Sequence, residues 1–169
     1  PYGTLKIGRM PFHLGMGIYA NAGDGVDQEA GTSRDRILFD TAFGSYFVRP
    51  GIGWLTEGAL DRSSDDFMEY FFHFGRKIEN QEIAIYLAYN NQSNYKPDAS
   101  ISSGQLYDRG TRYWSFDFYV QNQFDLVNLM TEVVLLSGRT MGKELMALNA
   151  AARADWNLKP ASVLTEVGY

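Results

Sequence analysis

Apolar and polar side chains alternate along one segment after another of this chain. Between residues 113 and 121, four large apolar side chains are each separated by one residue that carries a polar group. Successive side chains of a β-strand point to opposite faces, so this period predicts strands whose two faces meet different environments. The same pattern predicts nine strands, near residues 4–20, 35–43, 46–55, 67–77, 82–91, 111–121, 125–136 and 144–157 and from residue 161 onwards.

One of these stretches also fits a helix. Residues 143–156 are rich in alanine, which has the highest helix propensity of all residues. In a strand, however, Met146 and Trp156 fall on one face and Asn149 and Arg153 on the other, whereas a helix would mix the two sets around its circumference. We therefore expect a strand here, with a helix as the alternative.

The connections between the predicted strands alternate between long and short. Bacterial outer-membrane barrels have short turns at one rim and longer loops at the other, and they close with an even number of strands. Since nine is odd, we expect a portion of a larger barrel, with strands missing before residue 1, after residue 169 or between. The long connections span 21–34, 56–66 and 92–110, the short turns lie at 44–45, 79–81, 122–124 and 159–160, and a medium loop spans 137–143.

The composition suits a sheet that meets both lipid and water. Aromatic residues make up 15% of the chain, beside 17 glycines. No window has the roughly 18 apolar residues of a membrane-spanning helix, whereas a barrel strand needs only about 9 to 11 residues of alternating character. A formal net charge of −5 offers no basic stripe for nucleic acid, and the absence of cysteine excludes disulfide frameworks and thiolate catalysis.

A soluble β-sandwich is the main alternative, because its strands alternate as well. The polar face of a sandwich meets bulk water and should be rich in Lys, Glu and Thr. Here that face instead carries small residues and tyrosines with charges spaced apart, which is typical of a crowded wet lumen. Trp54, Trp114 and Trp156 fall near predicted strand ends, where interface aromatics sit in membranes. We therefore predict a single all-β domain over residues 1–169, an antiparallel up-and-down transmembrane β-barrel.

Charged side chains on the polar faces are the candidate functional residues. Rings of charged groups set selectivity in channels, so we expect these residues to line the lumen and to act electrostatically. Acids outnumber bases among them, which predicts a weak preference for cations. The candidates are Arg36, Asp40, Glu69, His73, Asp117, Glu132, Arg153 and Asp155.

Metal sites and catalytic sites find little support in the sequence. His13 and His73 both fall on strand faces that are predicted to point into the lumen, but a metal site needs further ligands that converge on the ion. The acidic loop with Asp24, Asp27 and Glu29 lacks the spacing of a calcium-binding EF-hand. No Gly-x-Ser-x-Gly motif is present. We therefore expect no metal, no cofactor and no enzymatic activity.

The first quarter of the chain resembles a known group of proteins. Residues 7–21 read Ile-Gly-Arg-Met-Pro-Phe-His-Leu-Gly-Met-Gly-Ile-Tyr-Ala-Asn, followed by Asp24-Gly25 and by Asp35-Arg-Ile-Leu-Phe39. This run is similar to outer-membrane barrel proteins of myxobacteria and their relatives, and more widely to porin-like barrels. The resemblance implies a location in the outer membrane of a Gram-negative bacterium and a channel function, with no catalytic motif.

The expected function is therefore that of a porin-like channel for passive diffusion of small polar solutes or ions. The alternative is a non-conducting barrel that serves as a scaffold, an adhesin or a partner-binding component of an envelope complex. The tyrosine-rich stretch 95–113 fits either a constriction loop or a binding surface. Expected partners are outer-membrane lipid, lipopolysaccharide, small polar solutes, and further copies of the chain or other envelope proteins, but not nucleic acid.

Overall fold

Nine β-strands form one continuous antiparallel sheet in which each strand pairs with the next along the chain. A computed structural model describes residues 3–21, 33–54, 67–92, 110–140, 142–158 and 161–168. Within these ranges no helix is long and apolar enough to cross a membrane. The strands are β1 (Thr4–Pro11), β2 (Ser33–Phe43), β3 (Tyr46–Trp54), β4 (Phe67–Ile78), β5 (Gln81–Gln92), β6 (Thr111–Gln123), β7 (Val127–Thr140), β8 (Lys143–Leu158) and β9 (Ala161–Gly168).

The strand prediction is confirmed for all nine segments, including the alanine-rich one, which is β8. Two-residue turns join β2 to β3 and β4 to β5, and Gly44 adopts a φ of 61° in the first of them, as its lack of a Cβ permits. The predicted loop 137–143 is wrong, because β7 runs to Thr140 and β8 starts at Lys143. The predicted loops at 21–34, 56–66 and 92–110 lie mostly outside the described residues.

The first strand is shorter than the alternation predicts. It ends at Pro11, which has no N–H to donate to a neighbouring strand. The chain then leaves the sheet as the inner segment, which we define as residues 12–21. Gly15 (φ 50°) and Gly17 (φ 93°) let it turn tightly, and Leu14 N donates to Ala20 O at 3.0 Å. The predicted strand 4–20 is therefore a strand followed by a compact turn.

The inner segment covers one face of the sheet, which we call the inner face; the opposite side is the outer face. Phe12, Leu14 and Ala20 of the segment are buried against Phe71 and Tyr86 of the inner face. Exposed large apolar side chains dominate the outer face, among them Leu5, Ile7, Ile37, Phe39, Tyr70, Phe72, Leu87, Trp114, Phe116, Met146 and Leu148. Among the described residues, the inner segment therefore covers part of the polar side of the sheet, whereas the apolar side is exposed.

Aromatic rings lie flat across glycines on the inner face. Phe71 pairs with Gly51, and a Cβ on that glycine would lie 2.3 Å from the ring. Phe47 stands in the same relation to Gly75, at 2.4 Å. Because glycine has no side chain, each ring can lie down over the neighbouring strand, which keeps the inner face compact beneath the inner segment.

The sheet is open in the part of the chain that the structure describes. Each strand from β2 to β8 has two neighbours, whereas β1 and β9 are the edges and do not pair with each other. The prediction of an all-β, antiparallel, up-and-down sheet is thus confirmed. The described strands do not close into a barrel.

Candidate functional site

All eight charged residues singled out from the sequence lie on the inner face. Directly paired residues of neighbouring strands share a face, so the strand register places them unambiguously. Glu69 pairs with Gly53, which pairs with Arg36, and His73 pairs with Arg49. Their burial separates them into two groups. Arg36, Glu69, Asp117 and Glu132 are buried, whereas Asp40, His73, Arg153 and Asp155 remain partly exposed.

Glu69 is the centre of the buried group. Its side chain has no exposed surface, and Arg34 Nη1 donates to both carboxylate oxygens at 2.9 Å. Arg36 Nη2 donates to Oε2 at 2.8 Å, and the Tyr19 hydroxyl donates to Oε1 at 3.0 Å. A buried carboxylate is tolerated only when it is paired and fully hydrogen-bonded, and these donors provide that.

Tyr19 connects the inner segment to three strands. Besides Glu69, its hydroxyl contacts Ser115 Oγ at 3.1 Å and Asn90 Nδ2 at 3.4 Å. Burial and the nearby Glu69 carboxylate raise the pKa of Tyr19 above its usual value, so the hydroxyl keeps its proton and can donate to the carboxylate. The segment is thus anchored on β4, β5 and β6 through one side chain.

Aromatic rings complete the buried group. The Arg36 guanidinium lies over the Phe12 ring at 3.2 Å from its centroid and 4.7 Å from that of Phe71. The Tyr86 ring lies 5.4 Å from Phe12 and 5.5 Å from Phe71. Since guanidinium groups are stabilised over aromatic faces, Phe12 holds the inner segment and screens the Arg36 charge from solvent.

Glu132 provides the second anchor of the inner segment. Its Oε2 accepts the backbone N–H of Met16, and its Oε1 accepts that of Ile18 at 3.2 Å. A Cβ on Gly15 would lie 2.7 Å from Glu132 Oε2 and 2.8 Å from the Tyr119 ring, so the chain passes directly over this carboxylate. Asp117 lies diagonally across the β6–β7 pair from Glu132, also buried.

A cavity of about 380 Å³ remains beside the inner segment, over β1, β2 and β3. Asp40 accepts Lys6 Nζ at 2.7 Å and Arg49 Nε at 2.9 Å within it. Arg49 also lies over the Phe47 ring, 4.5 Å from its centroid. The two histidines line the same cavity. His73 lies on the inner face as predicted, but His13 belongs to the inner segment, where its Nε2 contacts Gly15 O at 3.0 Å.

Two further pairs of inner-face charges lie away from the inner segment. Arg153 Nε donates to Asp155 Oδ1 at 2.8 Å, and Lys77 Nζ contacts Glu82 Oε2 at 2.5 Å. Both pairs are partly exposed. They extend the polar lining from β4 across to β8.

The three tryptophans lie on the outer face near strand ends. Trp54 ends β3 and Trp114 lies near the start of β6, both next to predicted long loops, whereas Trp156 lies near the opposite end of the sheet. The Trp114 and Tyr89 rings are tilted against each other, with their centroids 5.1 Å apart. Arginines also lie on the outer face towards the ends of strands, among them Arg9 and Arg76. Arg9 pairs with Asp35 at 2.9 Å, and Arg76 lies over the Tyr46 ring at 5.8 Å.

Sequence reasoning missed part of this site. Arg34 was placed in a loop, although it continues the alternation of Arg36, Leu38 and Asp40 by one step. Tyr19 was placed in a strand. Among the described residues no three His, Cys, Asp or Glu side chains converge as metal ligands do, and the predicted acidic loop with Asp24, Asp27 and Glu29 lies outside them.

The charged groups of the inner face fall into two kinds of arrangement. Buried ion pairs hold a segment of the chain against it, and partly exposed cations and acids border the space that remains. Comparison with known protein families, with curated proteins and with solved structures finds no match to this chain. The arrangement of its own residues therefore carries the functional argument.

Proposed function

We propose that this chain forms part of the wall of an outer-membrane β-barrel through which small polar solutes or ions diffuse. One observation carries the proposal, which is the inverted polarity of the sheet. Phe72 and Leu148 are 46% and 66% exposed on the outer face, whereas Glu69 and Glu132 are fully buried on the inner face. A water-soluble sheet has the opposite arrangement, with its charges outside.

Lipid is the environment that suits the outer face. An exposed apolar patch larger than a few hundred Å² marks a surface that contacts a partner or a membrane. The strands from β2 to β8 are 9 to 16 residues long, which reaches the about 9 to 11 residues that a tilted strand needs to cross a bilayer. Trp114 and Trp156, towards opposite ends, suit the two interfaces.

The open edges fit a wall that other strands complete. Unpaired N–H and C=O groups are not tolerated in hydrocarbon, so β1 and β9 need neighbours in a membrane. Further strands of the same protein or of other copies would close the barrel.

The inner segment narrows the lumen in this proposal. It occupies the space over β4 to β7, while the cavity over β1 to β3 and the partly exposed face of β8 remain for passage. Diffusion of a small solute needs a polar lining and no chemical step. The charges that border the open part are Lys6, Asp40, Arg49, Arg153 and Asp155.

A second function, that of a non-conducting barrel, is favoured by a different observation. The inner segment covers Glu69, Asn90, Ser115 and Glu132 so completely that none retains exposed surface. A lumen filled to this extent along its whole circumference would not conduct. The barrel would then act as a scaffold, an adhesin or a partner-binding component of an envelope complex.

Single-channel recording separates the two functions. The full-length protein is folded in detergent and added to a planar lipid bilayer, with heat-unfolded protein as the control. Stable conductance steps that appear only with folded protein support the channel. Silence from protein that is folded and inserted, as judged by protease protection, contradicts the channel and leaves the non-conducting barrel.

A further inference from the structure

Burial divides the inner-face charges into two groups in a way that the sequence does not predict. Asp117 is 2% exposed, and Glu69 and Glu132 are fully buried. The inner segment lies over these acids, and its own donors or those of Arg34 satisfy two of them. Glu69 is neutralised by the adjacent Arg34 and Arg36 guanidinium groups, so its charge contributes little to selection at the open part of the lumen.

The charges that a solute can reach are dominated by cations. The side chains of Lys6 and Arg49 are 48% and 39% exposed, and Asp40, which forms an ion pair with each of them, is 23% exposed. The other reachable inner-face acids whose side chains the structure describes each face one cation. Asp155 is paired with Arg153, and Glu82, which is 22% exposed, with Lys77, which is 69% exposed. The surplus of positive charge therefore lies at Lys6 and Arg49.

The cavity of about 380 Å³ over β1, β2 and β3 gives this surplus a defined place. We propose that it is a subsite for the carboxylate group of a small organic anion, and that the channel prefers anions. The inference rests on the proposed function and names the class of solute that the same lumen accepts.

Lys6 and Arg49 have enough N–H donors to bind a second carboxylate beside that of Asp40. An ammonium has three donors and a guanidinium five, and Asp40 accepts one from Lys6 Nζ and one from Arg49 Nε. The Phe47 ring beneath Arg49 holds the guanidinium plane in position. Arg36 and His73 border the same space, and the rings of Phe12 and Phe71 form apolar walls for the carbon skeleton of the solute.

The first test measures the reversal potential of single channels in a potassium chloride gradient. The unchanged protein should prefer chloride. In K6Q/R49Q the chloride-to-potassium permeability ratio should fall by about threefold, the scale expected for the loss of two partly screened charges. D40N should raise the ratio. The double variant R9Q/R76Q removes the same charge from the outer face and should leave it unchanged. A potassium preference in the unchanged protein, or equal effects of the two double variants, overturns the inference.

The second test measures binding without conduction. Sodium gluconate is titrated into the full-length protein in detergent micelles and its heat of binding recorded, with glucose as the uncharged control. Gluconate should bind, glucose should not, and K6Q/R49Q should abolish the signal while R9Q/R76Q keeps it. If the bilayers show no conductance but gluconate still binds, the proposed channel function is wrong and the proposed subsite is supported. Conduction that favours potassium, without gluconate binding, overturns the subsite and keeps the channel.

Discussion

Glu69 shows how single residues stabilise the inner face. It is fully buried, and its carboxylate accepts hydrogen bonds from Arg34 and Arg36 of β2 and from Tyr19 of the inner segment. Removal of one partner from a buried ion pair leaves an uncompensated charge, which costs far more than loss of an exposed pair. The same carboxylate holds Tyr19 and, through it, the inner segment.

E69Q should therefore destabilise the folded protein by about 3 kcal/mol, because Arg34 and Arg36 lose their shared counter-charge while they stay buried. D155N is the matched control. It breaks the partly exposed pair with Arg153 and should cost less than about 1 kcal/mol. Urea unfolding of both variants, followed by tryptophan fluorescence, measures the difference. Equal losses in the two variants would show that the Glu69 cluster is not a principal source of stability.

At the scale of elements, the inner segment differs most from its prediction. Met10, Phe12 and Leu14 alternate with Pro11 and His13, so a strand to residue 20 was the natural expectation. Lys6 and Met10 of β1 lie on the inner face, and Phe12 and Leu14 continue on that side, where they pack against Phe71 and Tyr86. Alternation reports that every second residue is apolar; it does not report which surface buries it. The alternation therefore predicted where the strands lie, but it could not predict that residues 12–21 turn back over the sheet.

Gly15 tests whether the inner segment restricts the lumen. G15A adds a Cβ within 3 Å of Glu132 and Tyr119 at a φ of 50°, so the segment must lift from the sheet. Because the inner segment already lies inside the lumen, lifting it from the wall moves it into the open space, and single-channel conductance should fall. G44A places a positive-φ alanine in a turn with open space around it and should leave conductance unchanged. If G15A conducts as well as the unchanged protein, the segment does not limit passage.

At the scale of the whole molecule, the described strands form a sheet with charged residues on one face and exposed apolar residues on the other. The alternation predicted this division better than any other property. All eight candidate charges share the inner face, and Trp54, Trp114 and Trp156 share the outer face. Closure was not predictable from the pattern, because alternation fixes the two faces of a strand but not the neighbour of an edge strand. Nor did it reveal which charges remain reachable, since that depends on a segment that folds back over them.

Contact between the outer face and lipid is the central claim, and paired fluorescent labels at neighbouring residues test it most directly. L148C and N149C are each labelled with bimane in the cysteine-free chain, since both positions are exposed on β8 but on opposite faces. After insertion of the full-length protein into vesicles, brominated lipid should quench the label at position 148 and aqueous iodide the label at position 149. Quenching of both labels by iodide, with neither affected by the brominated lipid, would contradict a lipid-facing outer face.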